Sequence, residues 1–211
     1  PSWDPEVLGA VAKIPLQADG RIKPLLTFAD FKLLQVNGRR SLKWEVDRGD
    51  HVEVLKRSSV EWLLDCLLFP DQAVTYPCFL LDTYEVADAI GVARGEKNKR
   101  DRWSYNELAP GRSALARKTE QLMRDQVKRE GKNRNVVEEQ IVQLNEKMGE
   151  FEGFLEFLDF ARHEYPVEND ANARALFGGA EKVSLGELFE KTALIRDELF
   201  KLGDPKSGFD D

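Results

Sequence analysis

The second half of the chain carries its most regular pattern of apolar and polar positions. From Val136 to about His163, apolar residues recur at alternating spacings of four and three, which predicts an amphipathic helix with a heptad edge. The residues of that edge are Val137, Ile141, Leu144, Met148, Phe151, Leu155 and Leu158. A second amphipathic stretch, residues 112–129, precedes it across a short polar turn. Because a short turn favours packing between adjacent helices, we predict a long antiparallel helical hairpin, with self-association of residues 136–163 as the alternative.

Shorter elements are predicted in the first half. A hairpin is expected around Asp19-Gly20, and a weaker second hairpin or loop around Arg48-Gly49-Asp50. Short helices are predicted at residues 5–13, 27–36, 59–68 and 83–90, with an extended apolar segment at 76–81. The fold class predicted is therefore mainly α with a small β element, in which an N-terminal hairpin and short helices pack with the long antiparallel helical hairpin.

The predicted organisation has three parts. Residues 1–108 form a mixed α/β part, residues 109–203 a helical part, and residues 204–211 a disordered tail. Within the helical part, residues 166–180 are expected to be a linker, after which Ser184 caps a last helix.

The strongest local signals lie in residues 14–31. In Asp19-Gly20, the glycine accepts the positive φ that a tight turn requires. Pro24 keeps the residue before it extended. Thr27 is then predicted to cap the following helix, with Asp30 three residues later in the capping-box position. The result is a rigid turn beside a helix N-terminus.

Candidate contact residues are displayed by this turn. They are Gln17, Gly20, Arg21, Lys23, Pro24 and Thr27. Two interpretations of the two cations stay open. In the structural one, Arg21 pairs with Asp19 or Asp30, while Lys23 is merely solvated. In the functional one, the cations hold a carboxylate of a haem propionate or of an acidic partner segment, next to the positive end of the helix.

Charge and hydropathy limit the partners. The net charge of −7 in 211 residues argues against general nucleic-acid binding. The charge is uneven, since residues 94–134 hold thirteen Lys or Arg against six acids, and residues 150–211 hold seven against fifteen. The basic stretch is either a solvated helix face or a surface for anionic lipid or an acidic partner. The longest apolar run, residues 62–69, is far shorter than the ~20 residues that span a bilayer, and we expect a soluble mature or excised piece.

No arrangement typical of catalysis appears in the sequence. Cys66 and Cys78 form no Cys-x-x-Cys pair, and they are predicted to be buried and unreactive, with a disulfide between them as the alternative. His51 and His163 lie in different segments. Because histidine often ligates haem iron, they are candidates for cofactor binding, although a surface or capping role is favoured. We predict no metal site and no enzymatic activity.

Two blocks of sequence resemble a known family. The first is the order Pro-x-Gln-x-x-Gly-Arg-x-Lys-Pro-Leu-x-Thr-x-Ala in residues 15–29. The second comprises Ser59–Asp65, Phe69-Pro70 and residues 76–82. Together they resemble the soluble extracytoplasmic region of cytochrome c biogenesis membrane proteins of the CcsA/ResB type. Those proteins carry haem across a membrane and attach it to apocytochromes. The resemblance covers roughly residues 14–108.

This resemblance implies an extracytoplasmic, periplasmic domain of a bacterial membrane protein. Such a domain would position apocytochrome c or another cytochrome c biogenesis subunit, and it would join the membrane through segments outside this sequence. It implies no cofactor in this chain, with haem handled elsewhere in the full-length protein. The alternative functions are a protein-interaction scaffold that uses the heptad helix at 136–163, or an unrecognised enzyme.

Overall fold

The computed structural model describes residues 2–18, 20–128, 134–167, 171–192 and 195–196, without the side chains of 126–128 and 171–173. The protein is mainly helical with a small β element, as the sequence predicts. The helices are α1 (Pro5–Val11), α2 (Leu25–Asn37), α3 (Ser59–Leu68), α4 (Pro70–Ala73), α5 (Glu85–Ala89), α6 (Tyr105–Leu108), α7 (Arg112–Lys128), α8 (Val136–Phe157), α9 (Asp159–Arg162), α10 (Ala171–Leu176) and α11 (Leu185–Glu190). The strands are β1 (Pro15–Ala18), β2 (Arg21–Pro24), β3 (Ser41–Asp47), β4 (Val52–Ser58), β5 (Phe79–Leu80), β6 (Arg102–Trp103), β7 (Glu164–Pro166) and β8 (Lys182–Ser184).

A recurring strand–strand–helix motif organises the described residues. Their strands form four two-stranded antiparallel sheets, β1–β2, β3–β4, β5–β6 and β7–β8. In each, the second strand leads into a helix, namely α2, α3, α6 or α11. The last three of these helices begin with a reciprocal serine–glutamate capping box: Ser58 with Glu61, Ser104 with Glu107, and Ser184 with Glu187. Each box satisfies amides that a helix start leaves unpaired, so it stops the strand and starts the helix at one residue.

The start of α2 differs from the prediction that Thr27 caps it. The helix begins at Leu25, and its N-cap is Pro24, which offers no side-chain hydrogen bond. The first two amides of the helix donate instead to the carbonyl oxygens of Ile14 (2.8 Å) and Ala12 (3.0 Å). Because these carbonyls satisfy helix amides that would otherwise need a cap, no capping side chain is required.

The chain divides into two compact units, Pro1–Glu156 and Phe157–Asp211. This division lies well beyond residue 108, where the sequence analysis put the boundary. The reason is that the apolar edge of α8 enters the core of the first unit. The ring of Phe151 lies 6.5 Å from that of Trp62 and 5.3 Å from that of Phe79, measured between centroids. Removing α8 would therefore expose the centre of that core.

The predicted helical hairpin is present, with α7 and α8 antiparallel. Arg112, the first residue of α7, bonds through Nε to Glu152 near the end of α8 at 2.7 Å. The middle of the heptad edge is buried: Ile141, Leu144, Met148 and Phe151 are at most 5% exposed. The helix ends at Phe157 rather than near His163, because the backbone at Leu158 leaves the helical region (φ −107°, ψ 23°) and the short α9 follows.

The second compact unit contains structure where a linker was predicted. Strands β7 and β8 pair, with Tyr165 opposite Val183, and α10 lies between them in the chain. The linker prediction for residues 166–180 was therefore wrong. The helix α10, which lies within this range, has only six residues and is too short to show a clear period, which explains the miss. The serine cap at Ser184 is confirmed, whereas the predicted tail at 204–211 lies outside the described residues.

Both cysteines are buried and free, as predicted, so the alternative disulfide is not formed. Burial raises the pKa of Cys66 well above its ordinary value of 9.0, and burial also raises the pKa of Cys78. Both thiols therefore stay protonated at neutral pH and lack the thiolate that reactivity needs. Among the described residues, no helix has both the length and the apolar character needed to cross a bilayer.

Candidate functional site

The first motif holds all six residues singled out from the sequence. Strands β1 and β2 pair in the register Ala18 with Arg21, Gln17 with Ile22 and Pro15 with Pro24. Gly20 adopts φ +72°, the left-handed conformation expected for the turn. The hydrogen bonds from the start of α2 to the Ile14 and Ala12 carbonyls attach the base of this hairpin to the helix. The turn is therefore anchored at its base and closed at its tip.

The two faces of the hairpin have different characters, because side chains alternate along each strand. One face, here called the outer face, carries Pro15, Gln17, Ile22 and Pro24, all of them exposed. It bears no charge. Ile22 is 77% exposed, the highest value among the large apolar side chains that the structure describes. A large apolar side chain is thus held in solvent on an ordered strand.

The two predicted cations lie on the opposite, inner face. Arg21 is exposed, and Lys23 is half-buried with its Nζ 5.8 Å from the centroid of the Phe31 ring. Among the described residues, no ion pair involves Arg21. Asp30, one of its two suggested partners, instead accepts a hydrogen bond from Ser59 Oγ at 2.6 Å. The other suggested partner, Asp19, lies outside the described residues.

Thr27 belongs with the inner face rather than with a helix cap. It occupies the first turn of α2, and Phe31 and Leu34 follow it at the spacings of four and seven that share one side of a helix. Phe31 is 50% exposed. The structure therefore brings together Lys23, Thr27 and Phe31, and it separates them from Gln17 and Pro24 on the outer face.

Two prolines close the hairpin to strand addition. The Leu25 amide donates to the Ile14 carbonyl, so residues 14 and 25 form a hydrogen-bonded pair. Hydrogen-bonded and non-hydrogen-bonded pairs alternate along two antiparallel strands. Residues 15, 17, 22 and 24 therefore direct their backbone polar groups away from the partner strand. Pro15 and Pro24 stand at two of these positions and have no N–H to offer. This arrangement disfavours the addition of a further strand to the hairpin through backbone hydrogen bonds.

The first motif differs from the other three at one position. Two residues before the helix cap, the other motifs place a cation: Lys56, Arg102 and Lys182. The first motif places Ile22 there. One residue before the cap, the third and fourth motifs bury Trp103 and Val183, each at most 4% exposed. The first motif places Lys23 there. The second motif also has a cation at this inward position, Arg57, so the feature that sets the first motif apart is the exposed isoleucine.

Sequence reasoning missed Ile22 and the apolar residues around it. Five large apolar side chains within residues 14–34 are exposed by more than a third: Ile14, Ile22, Leu26, Phe31 and Leu34. The available signal was the alternation in Arg-Ile-Lys, which must place the isoleucine opposite two cations. The sequence could not say which of the two faces meets the core.

The two histidine candidates lie in different compact units. His51 lies in the turn of the second hairpin, with Nδ1 2.7 Å from Asp50 Oδ1, and it is exposed. His163 is exposed, with Nδ1 2.9 Å from the Asp159 carbonyl oxygen. Within the described residues, no three His, Cys, Asp or Glu side chains are placed to hold a metal ion.

Three cations of the basic stretch at 94–134 are engaged within the fold. Arg112 forms a bidentate pair with Glu152, and Lys97 pairs with Glu107 at 3.0 Å. Arg102 donates to Asn37, where burial and then the nearby Arg39 lower its pKa. A groove of about 600 Å³ lies beside Lys97, whose ammonium is already bonded to Glu107. These three cations stabilise contacts between elements of the first compact unit.

Comparison with known proteins identifies no relative. The chain matches no protein-family model, no curated protein sequence and no solved structure. The geometry of the first motif, together with the sequence motifs around it, therefore carries the functional proposal.

Proposed function

We propose that this chain is a non-catalytic, extracytoplasmic domain of a cytochrome c biogenesis protein. In this role it docks apocytochrome c or a partner subunit, so that the substrate meets the membrane-bound machinery that attaches haem. The chain itself supplies no cofactor, and haem belongs to other segments of the full-length protein. It serves on the periplasmic side of a bacterial membrane and does not bind nucleic acid.

The observation that carries this proposal is the exposed, anchored hairpin of the first motif. Gly20 and Pro24, whose order in the sequence resembles the family pattern, here close and terminate a strand pair that holds Ile22 and Arg21 in solvent. Rigid display lowers the entropy lost on binding, which is what a docking element needs. A hairpin that served only as a corner of the fold would not need an isoleucine held in solvent.

The scaffold alternative, in which residues 136–163 form the contact surface, has less support. Four residues of the heptad edge, Ile141, Leu144, Met148 and Phe151, are buried within the first compact unit. Using that edge for a partner would require unpacking the core, which is costly. The hairpin needs no such rearrangement.

The test is a double charge reversal in the gene of the full-length protein, in its own cells. Arg21→Glu with Lys23→Glu should reduce covalent haem on c-type cytochromes by about tenfold or more, because loss of a cation pair at an interface costs several kcal/mol. Haem staining of cytochromes after gel electrophoresis measures the effect. The purified domain should melt within a few degrees of the wild type.

The matched control is Lys43→Glu with Lys56→Glu in the second hairpin, where the two lysines face each other across the strands and are exposed. This control should leave cytochrome maturation unchanged. Normal maturation in the Arg21/Lys23 variant, or an equal loss in both variants, would refute the proposed docking role.

A further inference from the structure

We propose that the groove of about 600 Å³ beside Lys97 binds an acidic peptide segment of a partner protein, and that Arg94 holds a carboxylate of that segment. The groove belongs to the first compact unit, and none of the hairpin residues lines it. The inference therefore adds a second contact surface to the protein. It does not depend on the role proposed for the hairpin.

The guanidinium of Arg94 is held in place without an ion pair. It lies over the ring of Tyr84, with Cζ 4.1 Å from the ring centroid. Among the described residues, no carboxylate pairs with it. Stacking of this kind fixes the plane of a guanidinium and leaves the N–H groups at its edge available. That edge can hold a carboxylate through two parallel hydrogen bonds. Arg94 is therefore oriented for an anion before any ligand binds.

The backbone around Arg94 offers further hydrogen-bond donors. The four amides of residues 93–96 all line the groove, and none of them donates a hydrogen bond within the described part of the chain. By contrast, the flanking amides of Val92 and Lys97 both donate to backbone carbonyl oxygens, at 3.0 and 3.2 Å. Consecutive amides of this kind can bond the carbonyl oxygens of an extended peptide as well as a carboxylate. A peptide therefore uses more of the groove than a small acid does.

The rest of the lining provides an apolar wall. Val92, Trp103 and Pro110 line the groove together with the Asn106 amide. The volume lies within the range of about 300–1,000 Å³ that is common for ligand pockets, which are lined mainly by apolar groups with a few polar ones. A segment that places an apolar side chain next to Asp or Glu would cover this wall and reach Arg94 at the same time.

The charge of the loop favours an anionic partner. Residues 93–102 hold five Lys or Arg against two acids. Glu107 offsets one of these cations, Lys97, so an excess of two positive charges remains. Glu96 also lines the groove and opposes an anion, which gives the site a charge that can be removed as well as one that can be lost. The net charge of −7 for the whole chain argues against nucleic acid as the ligand.

Amide NMR of the isotope-labelled chain tests the site with a defined probe. The probe is the hexapeptide Gly-Asp-Leu-Glu-Phe-Gly with both ends capped. It should shift the backbone signals of residues 93–96 and the indole signal of Trp103, and the shifts should saturate with a Kd below about 1 mM. The neutral probe, with Asn and Gln in place of the acids, should shift them far less. Sodium acetate at the same concentration should also do so, because it lacks the peptide and the apolar side chain.

Three variants assign the recognition to Arg94. Arg94→Gln should weaken binding of the acidic probe by about tenfold, because it removes charge-assisted hydrogen bonds. Glu96→Gln should strengthen binding by about twofold, because it removes a like charge. The matched control is Arg117→Gln, an exposed arginine of the same basic stretch that does not line the groove, and it should bind as the wild type does. All three variants should melt within a few degrees of the wild type.

Several results would overturn the inference. They are the absence of saturable shifts at residues 93–96, equal binding of the neutral probe or of acetate, and an unchanged affinity in Arg94→Gln. An equal loss in Arg117→Gln would also overturn it, because binding would then follow only the overall charge of the chain. If Arg94→Gln does not fold, the Glu96→Gln variant decides, and the lack of any gain in affinity there would refute the site.

Discussion

The first and second strand–strand–helix motifs share one architecture and use it in opposite ways. Each has a two-stranded hairpin whose turn contains a glycine with positive φ, Gly20 or Gly49. In the second motif the inward cation, Arg57, donates to the fully buried Asp65. In the first, the inward cation, Lys23, lies against the half-exposed Phe31. One motif is therefore tied to the core, while the other is attached at its base and open to solvent.

The buried carboxylate of Asp65 ties the second motif to the core. Asp65 accepts hydrogen bonds from Trp3 Nε1 at 2.8 Å, Tyr76 Oη at 2.7 Å and Arg57 Nε at 3.3 Å. A buried charge is tolerated only when it is paired and hydrogen-bonded in this way. Among the described residues, no buried carboxylate accepts a hydrogen bond from Arg21. The substitutions and the pH change described below test this contrast between the two motifs.

The largest effect should come from Asp65→Ala. Removing the carboxylate leaves the Arg57 and Tyr76 donors without an acceptor, so the free energy of unfolding should fall by about 3–5 kcal/mol. Urea denaturation followed by tryptophan fluorescence measures the loss. A loss below about 1 kcal/mol would contradict a structural role for the second motif.

Alkaline pH should weaken the core that holds α3. Since burial raises the pKa of the Cys66 and Cys78 thiols, the folded protein keeps both protons where the unfolded chain, with a thiol pKa near 9.0, loses them. The stability contributed by each thiol is present below pH 9 and lost as pH rises above it, by about 1.4 kcal/mol at one unit above the unfolded pKa. Denaturation at pH 8 and pH 10 measures the slope. The variant Cys66→Ala with Cys78→Ala should show a flatter slope, and an identical slope would contradict the assignment.

Gly20→Ala and Gly49→Ala should cost nearly the same. Neither position has a heavy atom within 4 Å of an added Cβ, so the cost is that of the left-handed backbone, about 1 kcal/mol in each case. Thermal melting of the two purified variants compares them. A much larger loss for Gly20→Ala would indicate that the first hairpin is part of the core after all.

The inward cations should differ in their effect on stability. Lys23→Ala removes a half-exposed cation–π contact and should cost no more than about 1 kcal/mol. Arg57→Ala leaves Asp65 without its cation and should cost more, about 2–4 kcal/mol. Denaturation of both variants in the same buffer measures the two losses in free energy of unfolding. Equal losses would contradict the proposed difference between the two motifs.

The smallest effect on stability should come from Ile22→Lys. The side chain is mostly in solvent and a lysine occupies the same position in the second and fourth motifs, so the free energy of unfolding should change by less than about 0.5 kcal/mol. A measurable loss of stability would place Ile22 in a contact that belongs to the fold.

Local signals predicted much of the fold. The heptad edge of α8, the glycine turn of the first hairpin and the serine cap at Ser184 depend on residues close in sequence, and each is confirmed. Thr27 was misassigned as a cap because distant carbonyls, those of Ala12 and Ile14, satisfy the helix amides. The sequence does not show which backbone groups will meet.

Contacts between residues far apart in the chain determined the division into compact units and the orientation of the first hairpin, which local sequence patterns could not predict. The contact between Trp62 and Phe151 joins residues far apart in the chain and moves the division to Glu156. For the candidate site, alternation alone separated Ile22 from Arg21 and Lys23, but only packing against α2 determined that the cations face inward. The exposure of Ile22, on which the proposed docking role depends, therefore emerged from the structure.

The most direct test is the amount of covalent haem on c-type cytochromes in cells that carry Ile22→Lys in the full-length protein, measured beside cells that carry Lys56→Ala. If the first hairpin docks the cytochrome or a partner subunit, the Ile22 variant should lose about nine-tenths of the haem signal while its domain stays folded, and the Lys56 variant should match the wild type. Full haem attachment in the Ile22 variant would contradict the account.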